Sequence, residues 1–510
     1  MESQPLERTP QEMALNNPII LMEIFKQTST PLKTCRLVCQ FWNEMVLSLP
    51  NTRLALKLND EFDRNKNTYS FFDLCFSLND RLAKRIRASC HTEVTDDFAF
   101  RVTLFCDKFS DIVQILELSI DSDSLQYIHQ VLTNCCPNLQ QLRIFCGFTI
   151  RERILMEPLP PKLKLTSFVL TAISKVQVWN LTSFAQVVVN ASKNLREVTL
   201  PWGMHLNLKK LKFLDSLTIA LNNLSSRHIN RFKSSELSRM LNQIGHQLVT
   251  LGFGASDDMD TILDSKNWNR QEFRIPGKMS KLKKYRNVLV DVFQCDDVLQ
   301  DLQRMPALTT LVIGKTFGTG SAGLHEYLQT IFNAKKVFGN VKILKIFEMH
   351  DRTLLEGLKT AFPNLVRLLL GTNSRTGDDG EGMELGGVLK ACVGWVGLKH
   401  LELWLPLYPK EIMGVIKALL DGVQLYKKLK TLTIMECWGD WVIRDLTEVE
   451  MDMFKQLLLA MDGMDQVEIH DLYLSKESAR DIFEFMESNK MSVSKFKIFS
   501  GKTYPDYEEI

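Results

Sequence analysis

The sequence predicts an α/β fold: a short all-α module at the N-terminus, then a curved solenoid with parallel strands inside and helices outside. Three observations predict it. Residues 13–50 carry two helical patterns with unusually apolar surfaces, a strand-like triplet (apolar-x-x-apolar-x-apolar) recurs from Val113 onward, and amphipathic segments of helical spacing precede most triplets. The expected order is a disordered stretch at 1–12, the helical module at 13–50, a linker with degenerate first repeats at 51–112, the solenoid at 113–500 and a tail at 501–510.

In the helical module, Asn17 followed by Pro18 is a start signal, because asparagine caps exposed amides and proline at the first helical position gives up an N–H that lacks a partner anyway. Ile19, Ile20, Leu21, Met22, Ile24 and Phe25 then wrap most of that helix rather than one stripe, so it needs cover on several sides. Thr30-Pro31 repeats the signal. Leu32, Cys35, Val38, Cys39, Trp42, Met45, Val46 and Leu49 follow as a second helical series, which Pro50 closes. A module this short lies near the lower size limit for burying a core alone, so a partner surface is expected.

These residues resemble an F-box. Leu15 with Pro18, Ile24 with Phe25, Leu32, and Val38-Cys39 with Trp42 stand in the family's register, with Asn17 where the family usually has leucine. The resemblance implies docking on a Skp-family adaptor, and through it on a cullin, with Leu15, Pro18, Ile24, Phe25, Leu32, Val38 and Trp42 as the adaptor contacts.

The array that follows begins with alternation in Leu54-Leu56-Leu58 and Phe72-Leu74-Phe76. The triplets run Val113-Leu116-Leu118, Leu139-Leu142-Ile144, Leu165-Phe168-Leu170, Leu195-Val198-Leu200, Leu214-Leu217-Ile219, Leu248-Leu251-Phe253 and Tyr285-Val288-Val290. They continue as Leu308-Leu311-Ile313, Val341-Leu344-Ile346, Leu365-Leu368-Leu370, Leu398-Leu401-Leu403, Leu429-Leu432-Ile434, Met464-Val467-Ile469 and Val493-Phe496-Ile498. Those at Leu165, Tyr285 and Met464 are the weakest. The mean step is about 29 residues, at the upper edge of the leucine-rich-repeat range. Helical spacing precedes them in Leu125-Ile128-Val131-Leu132, Leu354-Leu358-Phe362 and Ile412-Ile416-Leu419-Leu420. Parallel strands joined through helices need right-handed crossovers, and since a helix is wider than the ~4.8 Å between strands, the stack should curve into a horseshoe. The pattern resembles the long, irregular leucine-rich repeats that follow F-boxes, with Asn373 and Cys437 at the family's turn position. Two polar segments, 254–284 and 374–387, read as loop insertions.

Composition and motifs exclude several classes. Lys plus Arg number 62 against 60 Asp plus Glu, a net charge of +2, which offers no footprint for nucleic acid. No apolar run of membrane-spanning length and no signal peptide is present, and 11 irregularly spaced cysteines fit reduced thiols, so a cytoplasmic or nuclear setting without membrane attachment is expected. Gly318-x-Gly320-x-x-Gly323 with Glu348 outlines a dinucleotide fingerprint, but Lys315, Thr316 and Phe317 intervene after Gly314, where the tight turn belongs. Gly314-Lys315-Thr316 lacks the leading glycine of a phosphate loop, Thr309 standing there. His325-Glu326 lacks its second histidine ligand, Gln329 standing there, so no metal and no cofactor are expected. The basic cluster Lys278, Lys281, Lys283, Lys284 and Arg286 reads as a solvated loop.

If the strands line a concave face, their alternate residues are exposed there, Arg143, Arg196, Glu197, Lys399, His400, Lys430 and Thr431 among them. Phe145, Trp202, Phe347, Trp404 and Trp438 follow the strands. Aromatic residues and arginine dominate interfaces, so Lys345, Phe347, Arg367, Glu402 and Trp404 are the expected substrate-binding residues. The F-box resemblance implies a substrate receptor of a Skp–cullin–F-box ubiquitin ligase with no reaction of its own. The alternatives are a leucine-rich-repeat scaffold outside ubiquitin chemistry, and a nucleotide-binding enzyme using Gly318 to Gly323.

Overall fold

The computed structural model describes residues 14–27, 32–35, 37–48, 56–59, 83–89, 96–120, 125–147, 156–172, 178–221, 233–254, 272–290, 298–314, 323–371, 383–405, 412–436, 445–470 and 474–497. The chain divides into two compact units, Met1–Val198 and Thr199–Ile510.

Near its start the first unit has, among the described residues, the short helices α1 (Pro18–Gln27), α2 (Leu32–Cys35) and α3 (Gln40–Ser48). Asn17 Oδ1 accepts from the amides of Ile19 (2.9 Å) and Ile20 (3.4 Å), so the residue that departs from the F-box pattern caps α1. The single second helix expected from Leu32 to Leu49 is two helices. The break lies at Cys39, whose carbonyl accepts from Asn43 N at 3.0 Å and whose Sγ accepts from Trp42 N at 3.5 Å, which makes the thiol the cap of α3.

The same unit continues with β1 (Leu56–Asn59), β2 (Arg85–Ser89), α4 (Asp96–Lys108), β3 (Ile115–Ile120), α5 (Leu125–Asn134), β4 (Gln141–Cys146), β5 (Ser167–Ala172) and α6 (Val178–Ala191); β6 (Glu197–Pro201) spans the boundary. Strands β1 to β5 pair in chain order, each parallel to the last. Among the described residues, the region expected to hold degenerate first repeats therefore contains two strands. Ala83, Ile86 and Ala88 fill the buried triplet positions of β2, and alanine is what hid them. Phe72 to Phe76 lie outside the described residues.

The second unit holds β7 (Ser216–Ala220), α7 (Ser234–Ile244), β8 (Thr250–Phe253), β9 (Lys284–Asn287), α8 (Val298–Gln303), β10 (Thr310–Gly314), α9 (Gly323–Asn333), β11 (Ile343–Phe347), α10 (Leu354–Ala361), β12 (Arg367–Gly371) and α11 (Leu385–Cys392). It ends with β13 (His400–Leu405), α12 (Ile412–Leu420), α13 (Val423–Tyr426), β14 (Thr431–Glu436), α14 (Glu448–Met461), β15 (Gln466–Ile469), α15 (Lys476–Ser488) and β16 (Phe496–Lys497). Again each strand pairs in parallel with the next, β7 through β16. Both units are thus α/β, built from repeating strand-led units.

The triplets mark these strands closely, and the two weak ones at Leu165 and Met464 are real. The third is displaced: Tyr285 pairs with Leu251, so the buried triplet is Leu282-Tyr285-Asn287 and not Tyr285-Val288-Val290. A polar residue at the third position hid the register. Asn287 is buried there and its Oδ1 accepts from Leu289 N at 3.0 Å, which satisfies the side chain the apolar rule disfavours. The insertion expected at 254–284 shrinks accordingly, because Phe273, Ile275, Met279 and Leu282 are buried between exposed lysines. Likewise α11 begins inside the insertion expected at 374–387.

One backbone device recurs. The carbonyl immediately before a strand accepts from two successive amides of the next repeat: Gln140 and Gln141 on Gln114, Lys342 and Ile343 on Thr309, Lys399 and His400 on Val366. A side-chain device accompanies it. Asn138, Asn194, Asn340 and Asn364 each precede a triplet, and each Nδ2 donates to the carbonyl two residues before the previous triplet, Asp111, Leu163, Pro306 and Gly339. These bonds tie the exposed turns of successive repeats to one another. The expected turn residues Asn373 and Cys437 lie outside the described residues. Cysteines Cys35, Cys106, Cys135, Cys136, Cys146 and Cys392 are free and buried, and Cys39 is free and exposed.

Candidate functional site

The N-terminal helices form a closed core with an apolar exterior. Leu21, Phe25, Cys35 and Val46 are buried together, with Met22, Phe41, Trp42 and Met45 packed against them. The rings of Phe25 and Trp42 meet edge to face at 5.2 Å. With that core satisfied, further apolar side chains remain outside: Leu15, Ile20 and Ile24 are about 40% exposed, Val38 59%, Ile19 75% and Leu37 82%. On α1, a 100° step per residue puts Ile19 and Ile20 on the side away from Leu21 and Phe25, with Ile24 on the flank between. The helix is apolar on both sides, and one side has no cover within the described residues.

The expected adaptor contacts therefore separate into two sets. Leu15, Pro18, Ile24 and Val38 are exposed. Phe25 is buried and Trp42 half-buried, so these two hold the module together rather than offer a face. Leu32 begins α2, its side chain outside the described residues. Ile19 and Leu37, the most exposed of the group, were not among the expected contacts; a fold that caps α3 at Cys39 throws Leu37 and Val38 outward, and spacing alone does not reveal that.

On the sheet of the second unit, the alternate face is ordered in rows. Thr310, Ile343, Arg367, His400 and Thr431 form one row, Val312, Lys345, Leu369, Glu402 and Thr433 the next, and Gly314, Phe347, Gly371, Trp404 and Met435 the third. The expected substrate residues Lys345, Phe347, Arg367, Glu402 and Trp404 are thus gathered on adjacent strands. Glu402 joins them: its Oε1 accepts from Trp404 Nε1 at 3.1 Å, and its Oε2 accepts from Arg367 Nη2 at 3.4 Å. His400 Nδ1 lies 2.9 Å from Thr431 Oγ1. Burial first, and then the neighbouring charges of Arg367 and Lys430, hold its pKa below the ordinary histidine range, which favours the neutral ring.

Phe347 departs from the expectation. It is buried in an apolar cluster with Val288, Val312 and Leu369, against which Trp404 packs with ring centroids 5.7 Å apart. The neighbouring glycines make room: a Cβ on Gly371 would stand 3.1 Å from Phe347 Cδ1 and 3.4 Å from Trp404 Cε3, and one on Gly314 would stand 3.0 Å from Phe347 Cβ. Trp202 is buried as well, Phe145 is exposed, and Trp438 lies outside the described residues.

Of the enzyme-like motifs, Gly318 and Gly320 lie outside the described residues, while Gly323 opens α9. Glu348 is buried with φ of 61°, and His350 Nε2 lies 3.2 Å from its Oε2, so this carboxylate is engaged locally. Among the described residues no group of three or more His, Cys, Asp or Glu side chains is placed to hold a metal, and no helix is long and apolar enough to cross a membrane.

No family model and no curated protein matches this chain. The fold and the exposed surfaces define a strand-and-helix repeat protein with a small apolar helical module.

Proposed function

We propose that this chain is the substrate receptor of a Skp–cullin–F-box ubiquitin ligase, with the N-terminal helices as an F-box, the array as leucine-rich repeats and no catalytic step of its own. The observation that carries the reading is the double-sided α1: Leu21 and Phe25 close a core while Ile19, Ile20, Ile24, Leu37 and Val38 stay outside it. Exposed apolar residues gathered on one small module mark a docking surface. The repeats support the second half of the reading, since Arg367 on β12 and Glu402 and Trp404 on the adjacent β13 share a mixed polar and aromatic face suited to a protein partner.

The test is capture of a recombinant Skp-family adaptor by the full chain and by Ile19→Asp/Val38→Asp, both sites being exposed. The wild type retains the adaptor, and the variant loses it while keeping its far-ultraviolet circular dichroism. Equal capture by both proteins, or no capture by either, refutes the proposal.

A further inference from the structure

Strands β2, β3 and β4 place Arg87, Glu117 and Arg143 side by side in one row, with Arg85 two residues before Arg87 on the same face of β2. Glu117 is buried, 8% of its side chain exposed. Its Oε1 accepts from Arg85 Nη2 at 2.7 Å, Arg87 Nε lies 3.1 Å from Oε2, and Arg143 Nη1 lies 3.8 Å from Oε1. A single carboxylate thus faces three guanidiniums, and the quartet carries a net charge of +2.

That imbalance is costly for a purely structural pair. One arginine suffices to neutralise a buried glutamate, and each further guanidinium repels the others across neighbouring strands. The surplus is also outward: the Arg87 and Arg143 side chains are 54% and 51% exposed. Each guanidinium has five N–H donors in a planar fork, so most donors of these two remain for a ligand. Arg85 Nε is buried without a hydrogen-bond partner among the described residues. Glu117 ties the three side chains to one spot, which reduces the ordering cost of binding. Beside Arg143, two residues along the same strand face, Phe145 is 39% exposed and offers an apolar contact.

We propose that Arg85, Arg87 and Arg143 form an anion site for a phosphomonoester carried on a peptide, with Phe145 receiving an adjacent apolar side chain. Charge complementarity selects the ligand. A phosphomonoester bears a charge of about −1.5 to −2, which meets the site's +2, whereas a carboxylate leaves half of it unmatched. Three acceptor oxygens also match two forks better than two do. The proposal rests on the receptor reading only in taking the carrier to be a protein.

The experiment is fluorescence anisotropy of the full chain with labelled degenerate nonapeptides whose central residue is phosphoserine, serine or glutamate, and with phenyl phosphate as competitor. The phosphoserine library binds at least tenfold tighter than the serine library, the glutamate library falls between, and added salt narrows the gap. Arg87→Gln/Arg143→Gln abolishes the preference while hydrogen exchange shows β2 to β4 still protected. If that variant loses protection, Arg143→Lys replaces it, keeping the charge without the fork, and reduces the preference severalfold. Equal binding of the three libraries, an undiminished preference in the variant that keeps its sheet, or phenyl phosphate competing as well as the phosphopeptides overturns the proposal. Failure of adaptor capture with the phospho-preference intact removes the receptor reading and leaves this site standing.

Discussion

Phe25 and Ile19 sit on different faces of one short helix, and truncating each to alanine has opposite consequences. Phe25 is 4% exposed within the cluster of Leu21, Cys35 and Val46 and packs edge to face on Trp42. Phe→Ala in a closed core costs about 3–5 kcal/mol, which includes the cavity and the lost ring pair. Helices this short hold no such reserve, so Phe25→Ala melts α1 to α3. Ile19 is 75% exposed. Its three lost carbon groups are worth about 0.8 kcal/mol each when fully covered, and a quarter of that, about 0.6 kcal/mol, is nearly offset by the better helix propensity of alanine. Amide hydrogen exchange over residues 18–48 reads the difference: Phe25→Ala loses protection there and Ile19→Ala keeps it, while both weaken adaptor capture. Equal protection in the two variants, or loss in Ile19→Ala, refutes the division into core and docking residues.

Three further outcomes follow from the array. Tyr426 Oη donates to Leu419 O at 2.6 Å in a buried site, and Gly422 N donates to the same carbonyl at 2.9 Å, so Tyr426→Phe removes one of two donors and costs about 0.5–1.5 kcal/mol in chemical denaturation. Gly254 has φ of +109° and an added Cβ would collide with Val288 Cγ2, so Gly254→Ala lowers the thermal midpoint by more than the same change at Gly463, where nothing lies within 4 Å. The Glu468 carboxyl is held below its ordinary pKa, chiefly by the hydrogen bond from Lys497 and then by that from Gln466. Its stabilising contribution is therefore present at neutral pH and lost as pH falls below the ordinary glutamate range toward the depressed value; in Glu468→Gln, urea midpoints measured across that acid window fall less steeply than in the wild type.

The strand positions were readable because a buried face demands apolar residues at fixed spacing, and Leu, Ile and Val met that demand at nearly every repeat. Legibility failed where another residue met it differently. Ala83 and Ala88 are small enough to be buried without marking β2, and Asn287 is buried because the Leu289 amide satisfies its side-chain oxygen. The asparagines before the triplets stood in plain view, in segments such as CPNLQQLRI and FPNLVRLLL, yet their function depends on a carbonyl one repeat earlier, which local pattern does not supply. On the helical module, apolarity located the segment but did not separate inside from outside. Ile24 and Phe25 are neighbours in sequence, and only the packing of α1 on α3 sends one out and the other in. Of the three arginines around Glu117 only Arg143 was visible, because Arg85 and Arg87 lie on the strand that alanine concealed.

Hydrogen exchange of the full chain, alone and with a recombinant Skp-family adaptor, addresses the docking of the N-terminal helices directly. New protection confined to residues 15–24 and 37–48, with the repeats unchanged, is the predicted result. A complex that protects the repeats and leaves those helices exchanging as before, or no complex at all, contradicts it.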